Sequence, residues 1–164
     1  VLNSDNINIT GESFDYGPWR FTPRWDPAFT AAYFDHQGLY AFGRQAEAIH
    51  WDVAQLAISL RIFTETEPLI AALERFPDLY SQALRRRFFW RLGIPDTADA
   101  ADASTVVEEA VRAMIAAGVT IDRFFFDWRG GRWRTQAAQE RYAEENWSKL
   151  SQLIASHARE GAAE

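Results

Sequence analysis

A change of hydrophobic period at residue 44 constrains this chain most. From there Ala46, Ile49, Val53, Leu56, Ala57 and Leu60 recur at steps of three and four, which puts them on one helix face. Thr66 and Pro68 open a second, short helix, because proline is tolerated in a first turn. Asp78 to Leu92 reads as a third, with an acidic start, arginines toward its end, and Gly93 and Pro95 to stop it. Residues 96–103 read as a loop. Thr105 and Glu108 have capping-box spacing and open a helix that runs to Ala117, before Gly118. Thr120 to Trp128 gives another short helix, and a last one runs from Thr135 toward Arg159, with a fraying tail over 160–164. Residues 1–43 differ: they hold four of the nine glycines and three of the six prolines. There Ile7 and Ile9 alternate with polar residues, Thr10-Gly11-Glu12 suits a tight turn, and Ser13-Phe14 can return as a second strand. The expected fold is mainly α with a short N-terminal β-hairpin.

Composition removes several function classes. The chain has 164 residues and a formal net charge of −6, which argues against a nucleic-acid binder with its basic face. It has no cysteine, so disulfides, zinc–thiolate sites and a thiol nucleophile are excluded. Three well-spread histidines do not make a His-rich metal site. No apolar stretch approaches the roughly 20 residues that span a bilayer, and no leader-like segment opens the chain. The expectation is a soluble cytoplasmic domain with no membrane partner.

The first eighteen residues carry the chemistry. A hairpin over 7–14 places Asp5-Asn6 and Asp15 at one open end, so three oxygen-bearing side chains converge. Amide and carboxylate oxygens are hard ligands, suited to magnesium or manganese, and magnesium bound this way usually sits on nucleotide phosphates. Asp15-Tyr16-Gly17 also resembles the Asp-Phe-Gly element of protein kinases, whose aspartate holds metal. On spacing alone, a plain turn is the commoner reading of Asp, Asn and Gly.

Asn3-Ser4-Asp5-Asn6 followed by Asp15-Tyr16-Gly17-Pro18 resembles the signature of the selenoprotein O family, kinase-like proteins once regarded as pseudokinases that act as protein adenylyltransferases. Trp25-Asp26-Pro27, the stretch Asp35 to Phe42, and Gln45, Ile49, Trp51, Leu56 and Ala57 extend the resemblance over about residues 1–60. Departures are Ser4 for Thr, Leu39 for Arg, Ala46 for Pro and Asp52 for Asn. The resemblance implies a protein-kinase-like C-lobe, part of an α+β fold, with residues 1–43 as the catalytic and metal-binding loop and 44–164 as a helical lobe. It implies Asp5 as the proton acceptor for a protein hydroxyl. It implies Asn6 and Asp15 as ligands of magnesium or manganese on ATP, with Asp15 thereby holding the nucleotide. The implied partners are ATP and proteins with hydroxyl side chains. Adjacent residues in a regular strand face opposite ways, which fits Asp5 as base and Asn6 as ligand. The N-terminal nucleotide lobe of such a protein has no counterpart in this sequence, so the chain is expected to be a fragment, inactive on its own.

Other readings stay open. A helical interaction module without catalysis is one, and an unrelated phosphotransfer enzyme is another, although the phosphate loop Gly-x-x-x-x-Gly-Lys is missing. Arg85-Arg86-Arg87 reads as a solvated helix face, and Phe124-Phe125-Phe126 with Trp128 as core. His50 and Trp51 read as structural and His36 as a turn residue. Trp19, Trp25, Tyr33 and Tyr40 are expected to pack the loop after Asp15 against the helices.

Overall fold

The computed structural model describes residues 1–13, 15–96 and 100–160. Seven α-helices form among them: α1 (Gln45–Leu60), α2 (Thr66–Glu74), α3 (Phe76–Leu92), α4 (Ala100–Ala117), α5 (Ile121–Asp127), α6 (Gln136–Arg141) and α7 (Ser148–Glu160). None is long and apolar enough to cross a membrane. The chain divides into two compact units, one of residues 1–22 and 26–80, the other of 23–25 and 81–164.

The expected hairpin does not form. Ile7 and Ser13 make a single isolated antiparallel bridge, and no strand extends from it among the described residues. The polar residues that alternation assigned to a strand face act as a hydrogen-bond hub instead. Asn8 Oδ1 accepts from the Thr10 amide at 3.0 Å, the Glu12 amide at 3.1 Å and the Thr10 hydroxyl at 2.6 Å, which curls 8–12 into a side-chain-held turn. Ile9 is 81% exposed and Ile7 only half-buried, so the apolar face that would stabilise a strand buries little. Phe14, half of the expected return strand, lies outside the described residues.

In the first unit, Asp35 accepts from the amides of Leu39 and Tyr40 at 2.8 and 2.9 Å and closes the turn before α1. The Phe42 and Gly43 amides reach back to the carbonyls of Phe29 and Pro27, both at 2.9 Å. α1 packs on α2, and His50 stacks on Phe76, with ring centroids 4.7 Å apart. Two of the four loop aromatics depart from expectation, Trp19 at 62% and Tyr33 at 87% exposed, whereas Tyr40 is half-buried.

The second unit holds the aromatic core. α3 contributes Phe88, Phe89 and Leu92; α4 contributes Val106, Ala110 and Met114 at helical spacing; α7 contributes Leu150 and Ile154. Phe124, Phe125 and Trp128 are buried as expected, but Phe126 faces out beneath the guanidinium groups of Arg123 and Arg134. Trp25 joins this core against Phe88, and its neighbour Pro23 accepts from the Ile121 amide at 2.9 Å. Arg129 donates to the carbonyls of Trp90 and Arg91 and so satisfies the end of α3. Of the arginine triplet, Arg85 pairs with Asp96 and Arg87 lies over Trp90, while Arg86 is exposed.

Helix bounds shift where packing or propensity outweighs punctuation. α3 starts at Phe76, ahead of Asp78, with Pro77 in its first turn. α4 starts at Ala100, so Thr105 is interior to a helix whose alanine-rich opening favours it; residues 97–99 lie outside the described residues. The single last helix is broken. Thr135 caps α6 by accepting from the Ala138 amide, then Glu144 turns extended before α7. That break lets Tyr142 and Trp147 both enter the core, edge to face at 4.7 Å. The tail from Gly161 lies outside the described residues.

Candidate functional site

The N-terminal segment folds on itself through side chain to backbone hydrogen bonds. The Asn6 backbone N–H donates to the Asn3 carbonyl at 3.0 Å, which makes a turn of residues 3–6. Its side-chain Nδ2 donates to the Val1 carbonyl at 2.9 Å. That bond uses the donor end of the amide and leaves Oδ1 as an acceptor. Asp15 makes a tight turn of its own, Oδ1 accepting from the Gly17 amide at 2.9 Å. Gly17 has φ +54°, and a β-carbon there would stand 3.7 Å from Asn6 Nδ2, so the Asp15 turn lies against the Asn6 side chain. Ser13 Oγ lies 3.2 Å from the Asn6 carbonyl and 3.3 Å from the Asp15 carbonyl.

The structure therefore lays the Asp15 turn against the Asn6 side chain, with Ser13 between their main chains, in one loop knot. Asp5 is exposed within the turn of residues 3–6, next to Asn6, and Asp15 is exposed too, whereas Asn6 is half-buried. Among the described residues, no group of three or more His, Asp or Glu side chains gathers as a metal cage. What the knot offers is one amide oxygen and one carboxylate. Hard oxygen donors in that small number suit a cation that keeps waters and takes its other ligands from phosphate, which is how magnesium usually binds. The donor set thus fits magnesium or manganese and does not fit zinc.

A neighbouring cavity of about 340 Å³ escaped the sequence reading. Leu2, Leu39, Tyr40, Arg44, Glu47 and Trp51 line it. Leu2 follows the carbonyl that holds Asn6, so this cavity adjoins the knot. Trp51 is 66% exposed at its mouth and is not the structural helix residue its spacing suggested. Arg44 and Glu47 pair at 2.9 Å on its rim. A large aromatic on the first two turns of α1 was the signal available.

On α1, Asp52 stands out. Both of its carboxylate oxygens are shielded from solvent with no hydrogen-bond partner among the described residues, and burial pushes its carboxyl above the usual range. His36 is exposed in its turn.

Comparison with known proteins covers nearly the whole chain. The sequence model of the family described as protein adenylyltransferase SelO matches residues 1–158. A protein nucleotidyltransferase YdiU from Trichodesmium erythraeum is 37% identical over 142 residues, 85% of this chain and 30% of the relative. The protein of the same name from a Synechococcus species is 37% identical over 76% of this chain and 26% of its own length. That from a Synechocystis species is 43% identical over 59% of this chain and 20% of its own length. The chain thus spans less than a third of the curated relatives it matches. With the match running through the Asn6–Asp15 knot and on into α7, this chain belongs to the SelO family of protein adenylyltransferases.

Proposed function

We propose that this chain carries the catalytic and metal-binding loop of an ATP-dependent protein adenylyltransferase, with residues 1–43 supplying the chemistry and 44–164 the helical support. The hydroxyl oxygen of a Ser, Thr or Tyr on a target protein attacks the α-phosphorus of ATP. A new phosphorus–oxygen bond forms, the bond to the β-phosphate oxygen breaks, and pyrophosphate leaves. Asp5 takes the hydroxyl proton; its exposure on the turn leaves it open to a protein substrate. Asn6 and Asp15 hold magnesium or manganese, which when bound neutralises charge on the phosphates.

The observation that carries this reading is the Asp15 turn lying against the Asn6 side chain, inside a loop matched by the family. A second reading, a helical interaction module without catalysis, draws on exposed aromatics such as Phe21 at 87% and Phe63 at 80%. The acidic net charge speaks against nucleic acid as a partner in either case.

Positioning is worth about 7–11 kcal/mol in such reactions. A chain that spans less than a third of its relatives is proposed to supply only part of it, so the 164 residues alone transfer AMP slowly. The test uses a chimaera in which this chain replaces the matched segment of the Trichodesmium relative. Asp15→Ala is expected to abolish metal-dependent transfer, and Asp5→Ala to slow transfer while nucleotide still binds. Full activity in both variants would overturn the assignment and leave the interaction module.

A further inference from the structure

We infer that Ser13 is a positioning residue that sets the spacing of Asn6 and Asp15, by bridging their backbone carbonyls with one hydroxyl. The inference rests on the reading of those two residues as metal ligands. Ser13 Oγ is 3.2 Å from the Asn6 carbonyl and 3.3 Å from the Asp15 carbonyl. A hydroxyl has one proton to serve the two carbonyls, and both arms are longer than the usual 2.7–2.8 Å. Neither arm is strong, but together they connect two segments nine residues apart in sequence. The backbone of Ser13 adds a second tie, since it forms the isolated bridge to Ile7, the residue after Asn6.

The hub at Asn8 organises residues 8–12 and touches neither Asn6 nor Asp15. The Nδ2 bond to Val1 sets the Asn6 amide, and the Val1 nitrogen donates in turn to the Tyr16 carbonyl at 2.6 Å, which ties that side chain to the residue after Asp15; the Gly17 amide sets the Asp15 carboxylate. Among the described residues, the Ser13 hydroxyl touches the main-chain carbonyls of both Asn6 and Asp15. Without it, the Asn6 and Asp15 main chains lose their direct link, and the spacing rests on the side-chain route through Val1. Ligand spacing matters for magnesium, which demands near-ideal octahedral geometry. Threonine keeps the hydroxyl, so it is expected to substitute; alanine is not.

The experiment is Mn²⁺ binding to the full 164-residue chain, followed by electron paramagnetic resonance of the free ion, with unfolding temperature recorded for each variant. Ser13→Ala is expected to weaken binding roughly tenfold, the lower end of what loss of an outer partner costs a metal site. Ser13→Thr is expected to restore it. Thr10→Ala, which loosens the neighbouring turn by removing a hydroxyl bound to Asn8 and Glu12, is expected to leave binding unchanged. Equal weakening by Thr10→Ala, or no rescue by threonine, overturns the positioning role in favour of general loosening. Unchanged binding in Ser13→Ala, when Asn6→Ala and Asp15→Ala both weaken it, overturns Ser13 alone. Unchanged binding in Asn6→Ala and Asp15→Ala overturns the ligand reading and the inference with it.

Discussion

Removing the Asp127 carboxylate is predicted to be the most damaging single polar change in the second unit. Asp127 ends α5 and is 1% exposed. One oxygen, Oδ2, accepts from Arg141 at 2.6 Å, Arg123 at 3.1 Å and the Tyr142 hydroxyl at 3.1 Å, and so ties α5 to α6. Breaking a fully buried pair by removing one partner costs about 3–5 kcal/mol. Here the Arg141 and Arg123 side chains are 35% and 44% exposed, so they rehydrate and that figure falls. The Tyr142 hydroxyl is buried and is left without an acceptor, which costs about 1–3 kcal/mol. Asp127→Ala is therefore expected to lose about 3 kcal/mol, or about 6–12 °C in Tm for a chain of this size. Tyr142→Phe removes only the hydroxyl and is expected to lose about 1 kcal/mol. Asp127→Asn keeps an acceptor without the charge and falls between them. Urea unfolding followed by tryptophan fluorescence reads this unit, because Trp128 and Trp147 lie in the same core. A loss below about 0.5 kcal/mol for Asp127→Ala, within the range of an ordinary surface change, would refute the reasoning. So would a larger loss for Tyr142→Phe than for Asp127→Ala.

Asp52→Asn is expected to stabilise the chain by about 1 kcal/mol at neutral pH, since a shielded carboxylate without a partner costs at least that. The folded-state carboxyl is raised by burial, so the gain should shrink as pH falls and Asp52 protonates in the folded chain; equal gains at pH 7 and pH 4 would contradict this. Gly131→Ala is expected to cost at least about 2 kcal/mol, because φ is +71° and the added carbon would meet Ala158 at 2.5 Å; thermal unfolding checks it. Hydrogen bonds from Lys149, then Arg112, hold the Glu109 carboxyl below its usual range. Its contribution is present above the unfolded carboxylate value and lost as pH falls through the lower folded one, so Glu109→Gln should flatten the acid limb of the stability curve. Burial, then the Asp127 carboxylate, raise the Tyr142 phenol, so its contribution is lost only as pH climbs beyond about 10. Tyr142→Phe should remove that alkaline loss.

The helical part was legible because its signal is repetitive. α1 and α2 open where period and proline placed them, and Gly93 and Gly118 follow α3 and α4 with φ of +65° and +62°. What failed was local competition. Ile7 and Ile9 alternate as in a strand, but Asn8 offers its neighbours a side-chain acceptor that a ladder cannot match over so few residues. The split between α6 and α7 was illegible for the opposite reason, since it answers to the distant demand of seating Tyr142 and Trp147 together. For the site, motif spacing pointed to Asn6 and Asp15, and the fold brings their main chains onto one hydroxyl. The role of Ser13 was hidden because serine carries no pattern of its own. Trp51 misled because helical spacing says which residues share a face, not whether that face is covered.

The central claim is adenylyl transfer through the Asn6–Asp15 knot, and the position of the label on ATP tests it most directly. The chimaera carrying this chain is incubated with a protein acceptor and magnesium or manganese, using ATP labelled at either the α- or the γ-phosphate. The account predicts label on protein from α-labelled ATP alone, and none when Asp15 is alanine. Label from γ-labelled ATP would mean phosphoryl transfer and would contradict it.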